Sequence, residues 1–357
     1  MYLNIKKLRR VTSNGDYFPI IDGLRFISIF FVLICHLSNH FFEFSGIKNS
    51  YYENLFENGH NGVRIFFAIS GYILMLNAIK KLNLKKYYLR RVIRIEPTYI
   101  ISLIIIYFVI YHRNLLENLD HLIVSFFYLH SFIYDSSSII SPITWSLEVE
   151  VQFYLTFPFV YFLINYFDNK FNMGMSIILS IIIMGVIFNY YYTPTYRTLL
   201  DNITFFYTGV LIAYLFNKRE IKKIKISPYI ISICQFIIIT LLLFVNSVNS
   251  SILYQTLYFF LIYSFFNLTI NYESYINSFL ESKFISITGG MCYTIYLYHI
   301  VILLLFNKYF FNYTKNAPIK ILLFYVLYLI VIWLICSILY FLFEKPFMKK
   351  LSINTIN

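Results

Sequence analysis

A chain of 357 residues that is 59% hydrophobic, 21% aromatic and 13% charged is excluded from the soluble globular class, where charged residues are about a quarter. The net charge of +12 does not point to nucleic acid, because the basic residues fall in short runs between apolar segments rather than on one soluble face. Cys35, Cys234, Cys292 and Cys336 sit in or beside apolar runs without metal-ligand spacing, so neither a disulfide framework nor a metal site is expected.

Lys6, Lys7, Arg9 and Arg10 precede a first apolar run from Pro19 to Phe42. That run is too long for a cleavable signal and lacks a small-x-small site, so the N-terminal segment 1–18 is expected to be retained, and cytoplasmic by the positive-inside rule. A second run, 62–76, ends in Lys80, Lys81, Lys85, Lys86, Arg90, Arg91 and Arg94, seven cations with no acid among them. Further runs follow at 97–112, 121–133, 144–165, 175–192, 201–216, 228–247, 251–270, 286–307 and 320–343. Eleven crossings would force the basic run 218–225 and Lys345, Lys349 and Lys350 to the outer face, against the charge rule. The run at 121–133 is short of the ~20 residues a helix needs to span, so it is expected to be re-entrant or interfacial. The expected architecture is therefore all-α and polytopic, with about ten transmembrane helices plus that one short segment, and both termini cytoplasmic. By the same count, His36, Arg64 and the start of the 144–165 run lie toward the outer half.

Several runs carry polar groups that cost a few kcal/mol in hydrocarbon and so usually face a protein interior. In Asp22-Gly23-Leu24-Arg25, the acid stands one turn before the arginine and can pair with it. Arg25 and His36 are eleven residues apart, which places them on one helix face with a rise of roughly 16 Å. The plain alternative is a snorkelling arginine and a satisfied histidine. Small residues at 62, 68, 70 and 71 allow close helix approach around Arg64, a cation able to hold a polar substrate. Arg91 and Arg94, one turn apart, suit phosphate, although a basic run is also a topology signal or a contact for anionic membrane lipids. Thr144 to Leu155 opens a spanning helix with Glu148 and Glu150, whose spacing lets only one of them face a given partner. Tyr293, Tyr296 and His299 form a polar stripe after Gly289-Gly290, where His299 either shapes a pocket or packs a helix through a backbone carbonyl bond. Glu344-Lys345-Pro346-Phe347 is expected to stop the last helix.

In order, Asp22-Gly23-Leu24-Arg25-x10-His36, Gly62-Val63…Phe66-Phe67…Ser70-Gly71, Arg91-x-x-Arg94, Trp145-Ser146-Leu147-x-Val149-Glu150-x-Gln152-Phe153-Tyr154, Tyr293-x-x-Tyr296-Leu297-x-His299 and Glu344-x-Pro346-Phe347 resemble the membrane-bound acyltransferase-3 family over residues 19–347. Ile21 stands where leucine is frequent, and Glu148 where a small residue is common. The resemblance implies transfer of an acyl group, usually acetyl, from cytoplasmic acyl-CoA to a hydroxyl of a surface glycan, in a multi-pass protein of the inner (plasma) membrane. It implies catalytic roles for His36 and Glu150, donor binding by Arg25, Arg91 and Arg94, and acceptor or oxyanion roles for Arg64, Tyr293, Tyr296 and His299. Acetyl-CoA is the implied donor, with no metal. The implied partners are a glycan acceptor, lipid-linked forms included, membrane lipids and polysaccharide-assembly proteins. Some family members carry an extracytoplasmic hydrolase-like domain after the last helix; here residues 348–357 are expected to be a short cytoplasmic tail. A polytopic glycan or solute transporter is the competing class.

Overall fold

A backbone in lipid must satisfy its own hydrogen bonds, and for runs this long and rich in Ile, Leu, Phe and Tyr the helix does so locally. The computed structural model describes residues 8–11, 17–45, 58–112, 114–192, 197–218, 226–244, 251–314 and 318–353, and every regular element among them is helical. Lys6, Lys7, 219–225 of the basic run and the last residues of the expected tail, 354–357, lie outside the described residues.

Helix α1 spans Pro19–Ser45, α2 Asn61–Lys81 after a 3-10 turn at Asn58–His60, and α3 Leu84–Ile110. Two short helices follow, α4 Leu119–Phe126 and α5 His130–Tyr134, then α6 Trp145–Phe171, α7 Gly174–Tyr191 and α8 Leu199–Lys218. The remainder is α9 Pro228–Phe244, α10 Ile252–Asn271, α11 Tyr275–Leu280, α12 Lys283–Gly290, α13 Cys292–Thr314 and α14 Pro318–Leu339. A π-helical turn, Tyr340–Glu344, leads into α15 Lys345–Ile353.

Eight spans among the described residues are long and apolar enough to cross a membrane, and α12 with α13, bent by 73°, makes a ninth if taken together. The 17-residue α9 borders residues 245–250, which are not described. Each of the ten expected crossings has a helix among the described residues, and eight of them, or nine with the bent pair, are long and apolar enough to span. The expected weak segment is α4 and α5, of eight and five residues, separated by a break where Tyr128 adopts a φ of 58°. Neither is long enough to span.

Three local expectations change. The third element begins at Leu84 rather than near Pro97, with Asn83 capping it by accepting from the Lys86 N–H at 3.0 Å, so the basic run is itself helical. The run expected at 286–307 as one crossing is bent at Met291, and Gly289 and Gly290, which close α12, precede the helix that carries Tyr293, Tyr296 and His299, as expected. The Glu344-x-Pro346 motif does not stop the last helix. The chain stays helical from α14 through the π turn and past Pro346 into α15.

The chain forms two compact units. One comprises residues 1–62, 92–102 and 278–357; the other comprises 63–91 and 103–277. In the first, α1 and α12 approach through glycine: a side chain at Gly289 would run into the backbone of Asp22 and Phe26. In the second, α2 and α8 cross by reciprocal glycines, Gly71 against Phe206 and Gly209 against Ala68. The rings of Phe67 and Phe153 lie 4.4 and 4.0 Å from that of Phe206, joining α2, α6 and α8 in one stack. A buried amide away from water must find its partners within the protein, and those of Gln235 on α9 do so. Its side chain donates to Thr269 Oγ1 at 3.0 Å and Asn277 Oδ1 at 2.9 Å and accepts from Ser274 at 2.6 Å. Gly209→Leu is expected to destabilise the protein by about 1–3 kcal/mol through overpacking, seen as a lower unfolding midpoint in detergent. An unchanged midpoint would mean the α2–α8 crossing is not this close.

Candidate functional site

In the first unit, the N-terminal end of α1 carries a buried charge cluster. Asp22 and Arg25 are 3% and 5% exposed and pair directly across one helical turn, as their spacing predicts. Arg10, from the chain before α1, reaches the same carboxylate oxygen at 3.3 Å. The buried Glu344 of the π turn accepts from Thr294 of α13, and Arg94 of α3 lies within electrostatic reach of both carboxylates. Three arginines thus gather around two acids. The structure brings together Arg25 and Arg94, two of the three residues expected to bind the donor. Arg10 read in the sequence only as part of a topology signal, and Glu344 only as part of a helix stop; the pattern of types held no sign that either is buried.

Further along α1, His36 is half-buried, with its ring centroid 5.1 Å from that of His299 on α13. His299 is fully buried, and its Nδ1 lies 2.7 Å from the Tyr296 carbonyl. The Tyr328 hydroxyl of α14 donates to the His299 carbonyl at 2.9 Å and fixes the helix turn that bears the ring. Tyr296 is buried beside His299, with the ring centroids 5.8 Å apart. The Tyr293 hydroxyl donates to the Ile95 carbonyl at 3.1 Å, tying α13 to α3. Two imidazoles with different surroundings, one accessible and one sealed in, can handle a proton without an ionised carboxylate between them.

In the second unit, both acids of the Trp145-to-Tyr154 motif are engaged. Glu150 Oε1 accepts from Ser70 at 2.6 Å and from the Tyr154 hydroxyl one turn later. Glu148 is 2% exposed and accepts the Ser131 N–H at 3.0 Å through Oε2, which holds the start of α5 against α6; its Oε1 has no hydrogen-bond partner. Arg64 stacks over the rings of Phe205 and Tyr258, 4.9 and 5.6 Å from their centroids. Asp201, which the sequence pattern does not single out, caps α8 by accepting from the Thr198 N–H at 2.6 Å and hydroxyl at 3.0 Å, while its buried Oδ1 has no hydrogen-bond partner. Arg91 lies over Tyr87 and Tyr154, at 5.9 and 5.5 Å, and its Nε has no hydrogen-bond partner.

Between α3 and α6 of this unit, His121 Nδ1 and His130 Nε2 are 2.9 Å apart, and the Tyr134 hydroxyl donates to Asp120 at 2.8 Å. Burial pushes the His130 pKa below the ordinary histidine value. The unfolded chain therefore binds more protons as pH falls through about 6.5, and the stability present above that pH is lost below it. Hydrogen-exchange protection across 121–134 is expected to be weaker at pH 5 than at pH 8 after correction for intrinsic rates. His130→Asn should remove the difference.

These helices and polar clusters belong to a recognisable class of multi-pass membrane protein. The acyltransferase domain of the acyltransferase-3 family matches residues 18–341, and the chain belongs to that family. It is 25% identical over 379 aligned residues to the O-acetyltransferase OatA of Staphylococcus aureus (strain NCTC 8325 / PS 47), covering 97% of this chain and 60% of that protein. It is 34% identical over 171 residues to the peptidoglycan O-acetyltransferase OatA of Listeria monocytogenes serovar 1/2a (strain ATCC BAA-679 / EGD-e), covering 42% of this chain and 25% of that protein. The chain thus spans no more than about 60% of the length of these curated relatives. No solved structure matches it significantly.

Proposed function

We propose that the protein is an integral membrane O-acyltransferase that moves an acyl group, acetyl in the first instance, from cytoplasmic acyl-CoA to a hydroxyl of a cell-surface glycan at the outer side. The family membership and the O-acetyltransferase names of its relatives support the reaction class. The observation that carries the reading is the division of labour along α1, with a buried arginine cluster at one end and a half-buried histidine beside a sealed one further on. The rise between Arg25 and His36, roughly 16 Å, is of the order of an extended pantetheine arm. The donor can then present its thioester near His36 while its phosphates stay on the side where it bound.

Arg91 and Arg94 are the proposed phosphate ligands, with Arg25 ordering the polar groups below the thioester. The unpartnered Nε atoms of Arg90 and Arg91 fit an anion there. His36 removes the proton from the acceptor hydroxyl as its oxygen attacks the thioester carbonyl. The C–O bond forms, the C–S bond breaks, and His36 returns the proton to the departing thiolate. Glu150, which accepts from Ser70 and Tyr154, is the second residue for which a catalytic role is proposed. Arg64, Tyr293 and Tyr296 are the candidates for acceptor binding and for the oxyanion.

The test uses purified protein, labelled acetyl-CoA and a surface-polysaccharide acceptor. CoA release that depends on both the acceptor and His36 is expected. Glycan transport without CoA turnover would replace the enzyme by a transporter.

A further inference from the structure

We infer that His299 is the positioning partner of His36, its Nε2 lone pair accepting the His36 N–H so that the other His36 nitrogen is left bare toward the acceptor hydroxyl. This rests on the transferase reading above and adds a role to it.

The tautomer follows from geometry. A carbonyl oxygen only accepts, so the 2.7 Å contact of His299 Nδ1 with the Tyr296 carbonyl requires the proton on Nδ1. A neutral His299 therefore carries a lone pair, and no hydrogen, on Nε2. That nitrogen is fully buried and has no hydrogen-bond partner, which is costly unless something donates to it during the working cycle. The neighbouring ring is that of His36, 5.1 Å away centroid to centroid. A second pair in the same chain shows what this spacing allows: His121 and His130 also have centroids 5.1 Å apart, and their facing nitrogens are hydrogen-bonded at 2.9 Å. In the inferred arrangement the His36 ring turns about χ2 to form the equivalent bond to His299, whose own ring is held by the Tyr296 carbonyl and whose backbone is held by Tyr328.

The proton count is complete. His36 starts neutral with its one proton directed at His299 Nε2. It gains the acceptor's hydroxyl proton on the other nitrogen, keeps the bond to His299 as an imidazolium, and returns that second proton to the thiolate. His299 ends as it began. The same tautomer removes His299 from the candidates for the oxyanion, because a neutral imidazole with its proton on Nδ1 has nothing to donate from Nε2.

Two measurements on the full-length protein in nanodiscs test this. The ¹⁵N resonances of His299 are expected to show a protonated Nδ1 and a bare Nε2 at neutral pH; an Nε2–H tautomer would overturn the inference. In the transfer assay, His299→Leu should lower kcat roughly a hundredfold with little change in either KM, while His299→Gln, which keeps an acceptor atom, should retain kcat within roughly tenfold of wild type. A change confined to KM, or equal losses in Leu and Gln, would mean that His299 only shapes the site. If wild type transfers no acyl group to any glycan, the transferase reading fails, and the tautomer result still stands by itself. If wild type transfers and His299→Leu does so equally well, this inference alone fails.

Discussion

His36→Ala is expected to lower acceptor-dependent CoA release by roughly 10²–10⁴-fold, the range over which a positioned general base contributes. The half-buried ring leaves a small void when truncated, and α1 is anchored elsewhere, by the Asp22 cluster and by the close approach of Gly289. The variant should therefore be extracted in normal yield with its unfolding midpoint little changed. A loss of turnover with KM for acetyl-CoA preserved would place the defect in the chemical step. A residual rate within a few-fold of wild type would remove His36 from the mechanism. Acyl-enzyme trapped in donor-only incubations and absent from His36→Ala would instead show a covalent acyl-histidine route.

Asp22→Ala is expected to be the most destabilising single change in the charge cluster. Asp22 is the carboxylate shared by Arg10 and Arg25, and the arginine it pairs with across the helix turn is almost fully buried. Removing one partner of a buried pair leaves the other charge without compensation, at a cost of about 3–5 kcal/mol. Loss of monodisperse protein, or a steeply lowered unfolding midpoint, is the expected result. Adding Arg25→Met should recover part of the loss, because the uncompensated charge then disappears. If Asp22→Ala unfolds at the same temperature as wild type, the cluster is hydrated and does not order α1.

The sequence disclosed the crossings more clearly than the site. Each of the ten expected crossings has a helical counterpart because a long apolar run leaves the backbone no other way to satisfy itself in lipid, and the shortness of 121–133 showed in its length alone. The departures arise where backbone and burial compete with simple pattern. Charge placed the run at Lys80–Arg94 beyond a membrane edge, but lysine and arginine are good helix formers and α3 starts within it, at Leu84. Proline at 346 suggests a stop, yet a π turn directly before it lets the helix continue.

Among the candidate residues, the Asp22–Arg25 pair is legible because both partners share one helix turn. The partners contributed by distant segments are not. Nothing in the local pattern ties Arg10 to Asp22, Thr294 to Glu344, or Ser70 to Glu150. The choice between a pocket-shaping and a packing histidine at 299 was open because both need the same residue in the same stripe. The carbonyl bond expected of a packing histidine is present, and it is that bond which leaves Nε2 as a bare acceptor beside His36.

The central claim is transfer across the membrane along α1, and its most direct measurement is sidedness. Protein of one orientation in sealed proteoliposomes, with labelled acetyl-CoA confined to the face of the arginine cluster and glycan to the other, is expected to acetylate the glycan without acetyl-CoA crossing. Transfer that occurs only when donor and glycan share one compartment would contradict the account.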